Sequence, residues 1–399
     1  MSIWQDKERK YYMQVVRRQP IVIVRGQGTN VWDENGKEYL DFTAGWAVNT
    51  LGHCHPIISQ AISDQASTLM HTSNQFYTVP QLKIAELLVE NSSMDRVFFC
   101  NSGAEANEGA VKLARKYGRL HRNGAYEVIT ALNSFHGRTI GMIAATGQPH
   151  YQENWKPLAP GFVNVEYNNI EAIKQATTDE TCAVLLEPIQ GEGGVNVPSP
   201  GFLKEVRTWC DQQGLLMILD EIQTGVGRLG SLFGYQIFGV EPDVLTLAKG
   251  LGGGVPIGAF LSKESAAAME PGDHGSTFGG NALTCAAAHA LLNYVIENKV
   301  WENAAQVGEH LKNRLEALKE RIPSITQVRG MGLLLAVEFD DNISAQVVTS
   351  CNEMGILTNA VRPNAIRLMP PLNLTLGEVD EGVKRLEAGM EKATRARAL

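Results

Sequence analysis

The chain has 399 residues, 44% hydrophobic and 20% charged, an ordinary globular composition with room for two domains. A formal net charge of −8 argues against a general nucleic-acid surface, which needs concentrated lysine and arginine, but leaves room for a small anion in a local pocket. The opening MSIWQDKERKYY lacks the apolar core of a secretory signal, and no apolar stretch approaches the roughly 20 residues that cross a bilayer. Six dispersed cysteines without a C-x-x-C pair read as buried small hydrophobes, so the expectation is a cytoplasmic protein.

In chain order, residues 1–45 are rich in β-branched residues and turns (GQGTNVWDENGKEY), and they are expected to pack beside a smaller C-terminal domain. Residues 46–290 read as the large domain. Apolar runs at Arg96–Cys100, Tyr126–Ala131, Cys182–Glu187, Leu215–Asp220, Asp243–Leu247 and Ile257–Leu261 alternate there with helical patterns such as Gly201–Gln213, stopped by Gly214. This alternation predicts an α/β fold with a mostly parallel sheet covered by helices. From residue 291 the texture changes. Val307, Leu311, Leu315, Leu318 and Ile322 mark one helix face, and Gln327–Phe339 is strand-like. Thr375 and Glu378 form a capping box before Val379, Val383, Leu386 and Met390. Residues 291–399 are therefore expected to form a smaller α+β domain.

The loops after the strands carry the chemistry. Asn101-Ser102-Gly103 turns into a helix whose start would favour a phosphate, although ordinary capping explains the same residues. Ser134–Arg138 (SFHGR) offers a ring to stack on a flat group and an arginine to grip a carboxylate. The run LLMILDEIQ delivers Asp220 to the carboxyl end of a buried strand, where ligands sit in open α/β sheets; a helix cap or loop acid is the plainer alternative. Lys249, in LAKGLGGGVPIG, follows by about one strand–helix–strand step. Desolvation there would make its amine a nucleophile, while a solvated strand-end lysine remains open. His274–Asn281 (HGSTFGGN) is a fifth polar, glycine-rich loop. Gly250–Val255 is a poor dinucleotide loop, because a strand is expected after it. His53 and His55 lack a third metal ligand, and a turn role beside Pro56 fits them better, so no metal is expected.

Taken together, Gly45–Pro56 (GWAVNTLGHCHP), His71–Tyr77 (HTSNQFY), Val97–Tyr117 and the loops above resemble the class III aminotransferases, the ω branch of the fold type I pyridoxal-phosphate enzymes. The resemblance runs from GTNVWDENGKEYLDFTAG to IRLMPPLN and implies pyridoxal 5'-phosphate as cofactor. It implies that Lys249 is the Schiff-base lysine and the proton shuttle, that Asp220 pairs with the pyridinium nitrogen, and that Gln223 bonds the phenolic oxygen. Ser102, Gly103 and Ala104 would hold the phosphate and Phe135 would stack on the ring. Thr277 would reach the phosphate of the other subunit of a homodimer, with Ser276 near the substrate, and Arg138 would bind the substrate carboxylate. From EPIQGEGG and IRLMPPL it implies a Glu192–Arg367 pair that opens when glutamate binds; a purely structural ion pair is the alternative.

Within the family the likeness points to transfer of the terminal amino group of N2-acetylornithine to 2-oxoglutarate, in two half-reactions. Gly45-Trp46-Ala47 stands where ornithine-specific members tend to carry tyrosines, which favours an acylated substrate. Ornithine, 4-aminobutyrate, succinylornithine and N-succinyl-diaminopimelate are alternative amines. A mutase or decarboxylase on the same scaffold, or a binding protein without catalysis, are the competing classes.

Overall fold

In the computed structural model, which describes residues 2–397, fifteen strands form three sheets among the described residues. Met1 and residues 398–399, at the outer ends of the first and last expected regions, lie outside that range. In chain order the strands are β1 (Ile23–Gln27), β2 (Asn30–Asp33), β3 (Glu38–Asp41), β4 (Arg96–Cys100), β5 (Glu127–Ala131), β6 (Phe162–Val165), β7 (Thr181–Leu186) and β8 (Leu216–Asp220). There follow β9 (Val244–Leu247), β10 (Gly258–Ser262), β11 (Ile325–Met331), β12 (Leu334–Phe339), β13 (Ile356–Leu357), β14 (Asn359–Arg362) and β15 (Ala365–Leu368).

The central sheet has the order β4-β10-β9-β8-β7-β5-β6. Strands β9, β8, β7, β5 and β6 are mutually parallel, and only β10 runs against its two neighbours. Parallel neighbours require crossovers, and helices supply them. Gly103–His121 follows β4, and Phe202–Gln213 joins β7 to β8. The latter helix is bounded by Gly201 and Gly214 at φ 92° and 64°, left-handed positions that favour glycine. With helices on both sides, β7, β8 and β9 are buried along their whole length, which is why their sequences read as unbroken apolar runs.

A second sheet, β11-β12-β15-β14, is antiparallel throughout. A third joins β1-β2-β3 to β13 in parallel register, so the N-terminal strands are hydrogen-bonded to the chain near residue 356. Helix Val300–Leu318 buries Val307, Leu311, Leu315 and Leu318, and Thr375 and Glu378 cap the helix Leu376–Arg397 reciprocally. Three details differ from expectation. Gln327–Phe339 is a hairpin rather than one strand, turning at Gly332 with φ 53°. Ile322 is buried but lies beyond its helix, and β6 (FVNV), a half-buried edge strand, is not among the expected strands. Five cysteines are buried, with thiols that burial pushes up to about 12, whereas Cys54 is exposed. Among the described residues, no helix is long and apolar enough to cross a membrane.

Candidate active site

The carboxyl ends of β4, β5, β7, β8 and β9 converge, as an open α/β sheet requires of its ligand-binding edge. Their loops enclose a cavity of about 390 Å³ lined by Ser102, Gly103, Ala104, Phe135, Arg138, Glu187, Glu192, Asp220, Gln223 and Lys249, with Val48 and Val255 among its apolar walls. Nine of the residues singled out from sequence therefore meet in one place. Arg367 lies just behind the wall, fully buried on β15, and donates to Glu192 Oε1 at 2.7 Å and to Gln223 Oε1 at 2.9 Å. Ser276 is one side chain further out, its hydroxyl accepting from Asn101 Nδ2 at 3.2 Å. Thr277 is exposed and does not line this chain's cavity.

Asp220 is only 3% exposed, and three donors hold it: Asn107 Nδ2 at 2.7 Å, His136 Nδ1 at 2.8 Å and the Ile222 N–H at 3.0 Å. Thr246 Oγ in turn donates to Asn107 Oδ1 at 2.8 Å, so the carboxylate is fixed by a chain of buried polar groups. Glu187 is the second buried carboxyl. It accepts from the Phe135 and Gly191 N–H groups, each at 3.1 Å, and burial, reinforced by Asp220, pushes its pKa up to about 7. Burial alone would raise Glu192 as well, but Arg367 and Lys249 outweigh it and hold that carboxyl below its ordinary value. Lys249 sits at φ 35°, and its enclosed amine is pulled below the usual lysine range by desolvation, with Arg367 acting in the same direction.

Asn107, Thr246 and Glu187 were not singled out from sequence, and His136 was noted only inside SFHGR. The available signal was weak. Asn107 is a polar residue on the otherwise small and apolar buried face of helix Gly103–His121, and Glu187 ends an apolar strand as Asp220 does. The Ala44–Ala47 turn was also not foreseen: four consecutive residues lie at φ 44° to 65°, three of them not glycine. His53 Nε2 donates to Asp41 Oδ2 at 2.8 Å, and His55 precedes the helix Pro56–Thr68.

These residues fit pyridoxal 5'-phosphate. The first N–H groups of helix Gly103–His121 have no acceptor within the helix and face the cavity, while the Ser102 hydroxyl already caps Glu105 N at 3.2 Å. A Cβ on Gly103 would come within 2.7 Å of Ile222 Cδ1, so glycine keeps this seat open. Gln223 Nε2 is a buried donor without an acceptor, suited to a ring oxygen. Asp220 has about four acceptor positions and three are taken, which leaves one for a ring N–H.

The comparisons with known proteins agree. The sequence family Aminotransferase class-III matches residues 11–390. An acetylornithine aminotransferase of Caldanaerobacter subterraneus subsp. tengcongensis is 50% identical over 381 residues, 95% of this chain and 97% of its own. A succinylornithine transaminase of Photorhabdus laumondii subsp. laumondii is 45% identical, covering 92% of each chain. A crystal structure of the ornithine aminotransferase from Toxoplasma gondii, with partial occupancy of pyridoxal phosphate at its active site, superposes with a TM-score of 0.95. Its sequence identity is 36%, over 99% of this chain and 95% of that one. By sequence, by fold and by the residues that meet at the sheet edge, this chain belongs to the class-III aminotransferases, enzymes that work with pyridoxal phosphate.

Proposed function

We propose that this aminotransferase moves the terminal amino group of N2-acetylornithine to 2-oxoglutarate, giving N-acetylglutamate 5-semialdehyde and glutamate. The observation that carries the reading is the Glu192–Arg367 pair, 2.7 Å apart and adjoining Lys249 and Gln223. It leaves one arginine lining the cavity, Arg138, and a second one masked. A donor that presents its amine at one end and a single carboxylate at the other needs only Arg138. Glutamate, with two carboxylates, needs both, so Glu192 must give way to it.

In this reading the cofactor supplies an aldehyde carbon for the incoming amine and a ring that withdraws electrons from the reacting carbon. Lys249 would hold it through its amine and would move a proton at Nζ, a task its depressed pKa suits. Asp220, locked by Asn107 and His136, would keep the ring nitrogen protonated, and Gln223 would donate to the ring oxygen. Ser102, Gly103 and Ala104 hold the phosphate, and Phe135 covers the ring face. Arg138, whose guanidinium lies over the Tyr151 ring at 4.1 Å, grips the substrate carboxylate.

A second copy of the chain completes the site by bringing its Thr277 to the phosphate and its Ser276 towards the substrate. Support for this comes from the exposed aromatics around that loop. Phe278 is 62% exposed, Tyr77 93% and Phe76 63%, three large rings near one another, because Asn74 ties their two segments together through Ser276 O and Gly279 O. The six free cysteines fit a reducing cytoplasm. Steady-state kcat/KM values for N2-acetylornithine, N2-succinylornithine, ornithine, 4-aminobutyrate and N-succinyl-diaminopimelate test the assignment. Acetylornithine should lead. A preference for free ornithine or 4-aminobutyrate would replace it with another branch of the class.

A further inference from the structure

Glu192 is carried on a glycine-rich turn, Gly191–Gly194, that is tied from both sides. On the inner side the Gly191 N–H donates to Glu187 Oε1, while Glu187 Oε2 accepts from Phe135 N, each at 3.1 Å. On the outer side two arginines of the small sheet take the turn's carbonyls. Arg362 Nε donates to Gly193 O at 2.7 Å, and Arg329 Nε donates to Gly194 O at 2.9 Å. Arg362 lies on β14, next to the strand that carries Arg367, and Asn359 of β14 accepts from Arg367 Nε at 3.2 Å. Its other end reaches Asn133 Oδ1 at 2.7 Å, two residues before Phe135. The turn is pressed onto that segment: a Cβ on Gly193 would meet Asn133 O at 2.5 Å.

We propose that Arg362, which does not line the cavity, is a positioning residue that sets substrate selection. By holding Gly193 it keeps the Glu192 carboxylate on Arg367, and so disfavours glutamate relative to a donor with one carboxylate. The inference rests on reading Glu192–Arg367 as a gate. Its physical basis is the composition of the turn. Three of four residues are glycine, and Gly194 sits at φ 115°, so the untethered segment has many conformations in which Glu192 leaves Arg367. Charged donors to backbone carbonyls are among the stronger hydrogen bonds available to stop this. Arg329 acts one residue further on, at Gly194 O, whereas Arg362 holds the residue that directly follows Glu192.

The test measures the two half-reactions separately, by rapid mixing of the holoenzyme with glutamate and with N2-acetylornithine. Arg362→Gln should raise the glutamate-to-acetylornithine rate ratio by about three- to tenfold, the net effect of one ordinary hydrogen bond at a half-buried position. Arg362→Lys, which keeps a charged donor for Gly193 O, should move the ratio back towards wild type. Asn133→Gly removes the outer anchor of Arg362 while tolerating φ 64°, and should shift the ratio the same way if Arg362→Gln does not fold. In a Glu192→Ala background the Arg362 change should add nothing to the ratio. Equal losses with both donors would overturn the proposal, because a merely structural arginine would act so. If Glu192→Ala shifts the ratio but neither Arg362→Gln nor Asn133→Gly does, the gate stands and this inference falls. If Glu192→Ala leaves the ratio unchanged, the gate falls and the inference with it.

Discussion

Replacing Asp220 by asparagine tests the electrostatics of the site with little change of shape. The carboxylate is 3% exposed and accepts three hydrogen bonds, Oδ2 from Asn107 and His136 and Oδ1 from Ile222 N. An amide can accept on one side only. If its oxygen faces Asn107 and His136, its NH2 opposes the Ile222 N–H; turned over, it opposes Asn107 and forces His136 to accept. Reversal of the imidazole would place the proton on Nε2, a buried atom with no partner. Either orientation leaves a buried donor unpaired, a loss of about 1–3 kcal/mol in stability. The larger effect is on rate. A neutral amide cannot hold a ring nitrogen protonated, and removal of one preorganised charge should slow both half-reactions by about 10²-fold or more, ~2.7 kcal/mol of barrier. Stopped-flow absorbance of the holoenzyme with each donor reads this, and thermal melting reads the stability loss. Rates within about twofold of wild type, with unchanged cofactor spectra, would mean that Asp220 is a structural acid and that the ring is held otherwise.

Lys249→Ala should abolish turnover while the cofactor still binds through its phosphate; borohydride reduction and peptide mass spectrometry of the wild type should find the cofactor on Lys249, and a different labelled lysine would overturn the assignment. Arg138→Ala should weaken acetylornithine and glutamate together, by about tenfold or more each in kcat/KM, because both present a carboxylate to it; loss with one substrate alone would contradict a shared clamp. Glu221, buried against the Gly234 and Tyr235 N–H groups at 2.6 Å each, has its pKa pushed up from 4.5 to about 7 by burial. The folded state therefore keeps a proton that the unfolded chain has released, and stability falls as pH rises through that interval. Glu221→Gln should flatten the decline of melting temperature over the same interval, leaving the part contributed by Glu187; an unchanged slope would show that Glu221 is ionised when folded.

The central sheet was legible because its middle strands are buried on both faces, so the apolar runs ending at Asp220 and Leu247, with the edge run ending at Cys100, marked both the strands and the edge where chemistry sits. Lys249 and Asp220 stood out at that edge as candidates, each with a plainer alternative that the residues alone left open. Glu192 and Arg367 did not. They lie 175 residues apart on different sheets' loops and strands, and only the family resemblance joined them before the structure showed their contact. Asn107, His136 and Glu187 escaped for a related reason: their roles depend on where a helix or loop aims a side chain across the sheet edge, which no local pattern encodes. The left-handed turn at Ala44–Ala47 has only Gly45 to announce it. The hairpin within Gln327–Phe339 was hidden because the strand-like pattern of β11 runs directly into the apolar β12, and only Gly330 and Gly332 mark the reversal.

A single enzyme equivalent cycled between two substrates tests the central claim most directly. Holoenzyme mixed with N2-acetylornithine alone should lose the visible absorbance of its aldehyde-form cofactor and release one equivalent of semialdehyde per site. Addition of 2-oxoglutarate should then restore the absorbance and yield one equivalent of glutamate. Semialdehyde without restoration by 2-oxoglutarate, or no change with acetylornithine at all, would contradict the account.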